Sequence, residues 1–132
     1  LYGSCDYLAN HSKIVTTDDL AQHEFVSYID DLIEMPELRY FEGTFKNPHV
    51  VFRSTNLNAQ YNAIRSGVGL GLVHCFMAAN DPQMMAVLPD QILVQRSFWL
   101  MVHEDLRDVA RVDAVCRFIT RLLRDNESLM MG

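Results

Sequence analysis

The 132-residue chain has no cysteine pair at metal or disulfide spacing, no histidines in HExxH or HxH order, no basic cluster and no long apolar run. Each absence removes a class of protein. Cys5, Cys75 and Cys116 are odd in number and far apart, so neither a disulfide framework nor a zinc knuckle is expected, and no metal or cofactor is implied. Reduced thiols and a cytoplasmic setting suit three isolated cysteines. Every apolar stretch is too short to cross a bilayer, and no signal peptide is legible, so no membrane partner is expected. The formal net charge is −6, whereas contact with nucleic acid needs clustered Lys and Arg. Arg107, Arg111, Arg117, Arg121 and Arg124 do gather late, but Glu104, Asp105, Asp108, Asp113 and Asp125 are mixed among them. That mixture reads as a solvated helix face with i,i+4 pairs. Internal repeats and low-complexity tracts are missing too. The chain opens on Leu1-Tyr2-Gly3 without methionine, within what reads as a strand, which suggests a fragment.

What is present is core-forming material, 49% apolar, enough for one modest domain and too little for two. Short strands alternate with short helices. Residues 1–3 read as the tail of a strand, and Ser4 can cap a helix through Asn10. Thr16-Thr17-Asp18-Asp19-Leu20 combines a hydroxyl cap with first-turn carboxylates, a helix start. A strand is expected over 24–29. Pro36 then suits the first turn of a helix to about residue 41, with Gly43 as a stop. Residues 50–53 form a β-branched and aromatic run that ends at the polar corner Ser54-Thr55-Asn56. Leu57, Tyr61, Ile64 and Val68 follow helical spacing, terminated by Gly67 and Gly69. Strands follow over 70–73, 85–88 and 98–102. The last, Phe98-Trp99-Leu100-Met101-Val102, is apolar throughout and predicts a central strand buried on both faces, with Trp99 in the core. Residues 109–125 carry the stripe Val112, Val115, Cys116, Ile119, Leu122 and Leu123 of an amphipathic helix. The alternation predicts an α/β layer fold, helices covering a mixed, mostly parallel sheet.

Several motifs invite chemistry. Gly67-Val68-Gly69-Leu70-Gly71 looks like a phosphate loop, but such a loop follows a strand and opens a helix, and these glycines do the reverse. A tight helix-to-strand turn with closely packed backbones fits them better. His74-Cys75 suggests a nucleophile pair, yet adjacent strand residues point to opposite faces, and no catalytic residue is assigned. Their position matters more. They sit at the C-terminal end of an apolar strand, where open α/β sheets hold ligands. Ser54-Thr55-Asn56 occupies the same kind of position before a helix N-terminus. Its hydroxyls and amides suit a carboxylate or other small anion, and plain N-capping accounts for the same residues. His11, His23 and His49 lie in polar surroundings and are expected at the surface. His103 ends the 98–102 strand and is the remaining histidine to weigh near a cleft.

In this order the motifs resemble the LysR-type transcriptional regulators. Leu1-Tyr2-Gly3-Ser4-Cys5-Asp6-Tyr7-Leu8 resembles that family's LYASPAYL segment, and Asp18-Asp19-Leu20 with His23 resembles its DDLxxH. Residues 59–75, AQYNAIRSGVGLGLVHC, are similar to AQLAAVRAGLGIALLPC. Asp81-Pro82 with Val87-Leu88-Pro89 resembles DPxLVRVLP. Residues 99–106 with Arg111-Val112 resemble LWLLVHxDLRxxPRVRAFLDFL. The match runs over about residues 1–124. It departs at His74, where the family has Pro, and at Ser4-Cys5-Asp6-Tyr7, where it has SPAY.

The resemblance implies one lobe of a type II periplasmic-binding-protein-like effector domain. Residues 1–103 would be the second subdomain with its crossover strands, and 104–132 a helix of the first subdomain. The DNA-binding region and the rest of that subdomain lie elsewhere. A small effector would sit in the inter-subdomain cleft against Thr55, Asn56, His74, Cys75 and Phe76, with Ser27, Tyr28 and His103 as weaker candidates. The implied partners are that effector, a homo-oligomer, and promoter DNA through the N-terminal region alone. Two other classes compete: a binding or transport protein of the same fold, and an enzyme using His74 or Cys75. With its neighbours absent, the helix over 109–125 is expected to expose its stripe and to favour self-association.

Overall fold

Short apolar runs broken by caps and glycines build this chain, and the computed structural model describes its residues 1–29, 32, 45, 47–95 and 97–131. Two units result, Leu1–Val94 and Gln95–Gly132. The first holds the strands β1 (Tyr2–Ser4), β2 (Glu24–Ser27), β3 (His49–Arg53), β4 (Leu70–Gly71) and β5 (Met84–Ala86). They form one sheet in the spatial order β3-β2-β4-β1-β5. β2 is parallel to β3 and β4, whereas β1 is antiparallel to β4 and β5. The sheet is therefore mixed, with its parallel pairings on the β2 side.

Helices cover both faces of this sheet. α1 (Cys5–Asn10) is capped by Ser4, whose hydroxyl accepts the Tyr7 N–H at 3.1 Å. With the 3-10 turn Thr17–Gln22 it packs over Leu1, Phe25, Leu70, Leu72, Val87 and Ile92. α2 (Leu57–Arg65) and α3 (Cys75–Ala78) cover the other face, where Ile64 and Ala78 meet Val26 and Met84. The pairing of β2 with β3 slips between Phe25↔Val50 and Val26↔Phe52, leaving Val51 as an exposed extra residue. That bulge lets Val50 join the core of Phe25 while Phe52 joins that of Val26, although strict alternation would put Val50 and Phe52 on one face.

The glycine run is a turn, as its context implied. Gly67, at φ +81°, ends α2 with its N–H donating to Ile64 O at 3.0 Å while Val68 N–H reaches Ala63 O at 3.1 Å. This left-handed cap satisfies carbonyls the helix would otherwise leave open. Gly69 lies against the Glu24 carbonyl, so close that a Cβ would fall 2.6 Å from its oxygen. Strand β5 stops short of the expected 85–88 because Leu88 takes φ +50° ahead of Pro89. The helix expected from Pro36 to about residue 41 lies outside the described residues.

The second unit contains a 3-10 turn (Glu104–Leu106), α4 (Ala110–Asp125) and α5 (Glu127–Met131). The strand expected over 98–102 does not form: no described strand pairs with it, and Trp99 and Met101 are 83% and 88% exposed. Trp99 is thus a surface residue here. A strand needs a neighbour for its N–H and C=O groups and a cover for its side chains, and composition supplies neither. α4 forms as expected and has no buried residue; Val115, Phe118, Leu122 and Leu123 are all exposed. Its charged side shows the expected i,i+4 pair, Arg117 with Asp113 at 2.8 Å. Among the described residues no helix is long and apolar enough to cross a membrane.

Candidate functional site

Parallel pairing brings the ends of three strands to one edge of the sheet. β2 ends at Ser27 and runs on to Tyr28, and β3 ends at Arg53 before Ser54-Thr55-Asn56. β4 ends at Gly71 shortly before His74-Cys75-Phe76. The first two ends are tied together, Ser54 N–H donating to Ser27 O at 3.1 Å and Arg53 Nη1 to Tyr28 O at 3.2 Å. Seven of the eight candidates from the sequence lie here. His103 belongs to the other unit, where its exposed ring caps the Glu104–Leu106 turn by accepting the Asp105 N–H at 3.3 Å.

Local chemistry divides these residues into builders and presenters. Asn56 is a builder: its Oδ1 accepts the N–H groups of Asn58 at 2.9 Å and Ala59 at 3.2 Å. Those two amides are therefore occupied, and an anion could take them only by displacing the cap. Ser54 supports the corner from both sides. Its hydroxyl accepts the Asn56 N–H at 3.1 Å, and its carbonyl accepts Nε2 of the buried Gln60 at 2.6 Å. Thr55 stands exposed at the tip of this corner. His74 precedes α3 with its ring stacked on Phe76, centroids 5.1 Å apart and planes at 9°, and Phe76 is 39% exposed. The edge thus presents a hydroxyl and a flat aromatic pair on a corner held by backbone bonds.

Two residues here were not singled out from the sequence. Tyr2 reaches this edge because β1 runs antiparallel to β4, placing Tyr2 opposite Gly71. Burial first, then its bond to the Cys75 thiol, push the Tyr2 phenol up to about 12. Cys75 is half-buried beside it, a setting that gives the thiol a packing role. Arg53 adds a guanidinium to the same edge. Its signal was readable, since a charged residue closing an apolar strand marks an exposed strand end. The Tyr2 position depends on strand order, which no local pattern encodes. Among the described residues no group of three or more His, Cys, Asp or Glu is arranged to hold a metal ion.

A second polar knot lies between α2 and the segment before β5. Asp81 Oδ2 accepts the Tyr61 hydroxyl at 2.5 Å and Arg65 Nε at 2.7 Å, while Oδ1 accepts the Gln83 N–H at 2.9 Å. The Tyr61 bond first, then Gln83 and Arg65, hold the Asp81 carboxyl down to about 2. This knot anchors the helix that carries Asn56 at its other end.

Against known protein families, the model described as LysR substrate binding domain matches residues 1–124. No curated protein and no solved structure matches the chain.

Proposed function

Because the chain belongs to the LysR substrate binding domain family, effector-binding modules of transcription regulators and not enzymes, we propose that its strand-end edge takes a small planar carboxylate. The convergence of the β2, β3 and β4 ends carries this reading. Thr55, His74 and Phe76 are the principal contacts, on the corner that Asn56 builds and beside the half-buried Cys75, with Ser27 and Tyr28 next to them. Thr55 offers a hydroxyl, Arg53 a cation and the His74–Phe76 pair a flat face, a set that suits an aromatic acid.

In the same reading, residues 1–103 form the second subdomain and 104–132 supply a helix to the first, with the effector in the cleft between the two. The exposed apolar residues of α4 and of 98–102 support this, since faces of that kind are normally covered. A net charge of −6 fits a module that leaves promoter contact to another region. The whole regulator works in the cytoplasm as a homo-oligomer. Effector then shifts the balance of its arrangements by the difference in its affinity for them.

Titration of the chain with benzoate, followed by amide NMR with neutral benzamide as control, tests the reading. Benzoate at up to ~10 mM, the range for a weak site, should move the amides of Ser27, Thr55, His74, Cys75 and Phe76 more than benzamide does. Thr55→Val should weaken that response about fivefold, the loss of one hydrogen bond. Shifts confined to other surfaces, or none at that concentration, would overturn the assignment.

A further inference from the structure

Away from this edge, two histidines and a tyrosine close around the joint between α1, the Thr17–Gln22 turn and β2. Tyr7 is buried, and its hydroxyl accepts the Glu24 N–H at 2.9 Å. His23 Nδ1 lies 3.3 Å from that same hydroxyl. The His11 ring stacks on Tyr7, centroids 3.8 Å apart and planes at 17°, and its Nδ1 donates to the Tyr7 carbonyl at 2.8 Å. His11 and His23 are 6.2 Å apart, centre to centre. The expectation of a surface His23 is overturned, for it is 1% exposed. Its polar neighbours in sequence misled because Tyr7, sixteen residues earlier, folds over it. His23 Nε2 is buried without a hydrogen-bond partner among the described residues.

A buried ring with an unpaired nitrogen is tolerable while neutral and poorly accommodated as a cation. The groups around it are Tyr7 and His11 from α1, the Ser12 main chain just after it, Asp19 from the 3-10 turn and Glu24 from β2. His11 becomes a like charge when protonated. Asp19 is the compensating anion, but its Oδ2 already accepts the Val15 N–H at 2.9 Å, the Thr16 N–H at 2.8 Å and the Thr16 hydroxyl at 3.1 Å. We propose that His11, Tyr7 and His23 form a proton-operated latch, which holds α1 and the Thr17–Gln22 turn against β2 at neutral pH and releases them on acidification.

The direction follows from linkage. Burial first, then His11, lower the His23 pKa from its ordinary 6.5, with the Ser12 main chain and Asp19 opposing. The unfolded chain takes its proton near 6.5 and the folded chain only at lower pH. Stability is therefore level above that value and falls as the pH drops from it toward the folded pKa.

Histidine-ring NMR of the full chain from about pH 8 to about pH 5, with amide exchange at each step, tests the latch. His23 should titrate below 6.5. Protection of the Tyr7, Leu8 and Leu20 amides should fall in step with it, while α2 keeps its own. His11→Gln, which removes the second charge, should raise the His23 titration point toward 6.5 and so make the loss of protection on acidification smaller. A His23 that titrates at or above 6.5 would overturn the proposal, and so would protection in α1 that is indifferent to its titration.

Discussion

Replacing Gly71 by alanine would place a methyl group 2.5 Å from Ile64 Cδ1, 3.1 Å from Ile64 Cγ1 and 3.1 Å from the Val26 carbonyl oxygen. Ile64 is 0% exposed, so its end cannot swing into solvent. Overpacking of this kind costs about 1–3 kcal/mol. Alanine also restricts the unfolded chain, which returns about 0.4–1 kcal/mol. The clash wins, and Gly71→Ala should lose about 1–2 kcal/mol. Ile64→Val removes the clashing Cδ1 and by itself costs about 0.5–1.5 kcal/mol. Simple addition then gives about 1.5–3.5 kcal/mol for the pair. The new methyl would instead occupy space that Cδ1 vacates, so the double variant should be no worse than Gly71→Ala alone, a coupling of about 1 kcal/mol. Urea unfolding read by far-UV circular dichroism measures it. Fluorescence is the wrong probe, because Trp99, the single tryptophan, is exposed in the other unit. Additivity within about 0.5 kcal/mol would refute the claim that Ile64 fills the space above Gly71.

Gly67→Ala meets no clash, its Cβ coming no closer than 3.5 Å to Ser4 Oγ, yet it must hold φ at +81°. Thermal melts should show a loss of about 1–2 kcal/mol, with Gly67→Asn milder. Asp81→Asn should lower the urea midpoint at neutral pH by weakening the ties to Tyr61 and Arg65. The folded Asp81 pKa lies below its ordinary 3.8, so its contribution is complete above 3.8 and disappears as the pH falls to about 2. The wild-type and Asp81→Asn curves should therefore converge at the acid end, and a gap persisting below pH 2 would count against the knot.

Local signals were legible where a residue acts on its own neighbourhood. Ser4 caps α1, Asn56 caps α2 and Gly67 ends it, each through bonds spanning a few residues. Two of the three strand ends were legible for the same reason, since Ser54 and His74 directly follow the strands expected over 50–53 and 70–73, whereas the strand expected over 24–29 runs through Ser27, where β2 ends. What stayed hidden depends on residues far apart in the chain. His23 is buried by Tyr7, Tyr2 reaches the edge through strand order, and the Val51 bulge exists because β2 imposes a register on β3. Residues 98–102 show the converse. Their composition states a preference for strand, and nothing among the described residues offers the partner that would realise it.

α4 lacks a floor. Its 16 residues run from Ala110 to Asp125 with none buried, close to the ~12–15 residues at which an isolated helix is marginal in water. Its helicity is therefore a readout of company. Alone, its amides should exchange with solvent far faster than those of α2, whose Ile64 is sealed in a core. A surface that covers Phe118 and Leu122 would slow that exchange throughout the helix. Amide exchange in α4 would then report docking by any partner, before that partner has been identified.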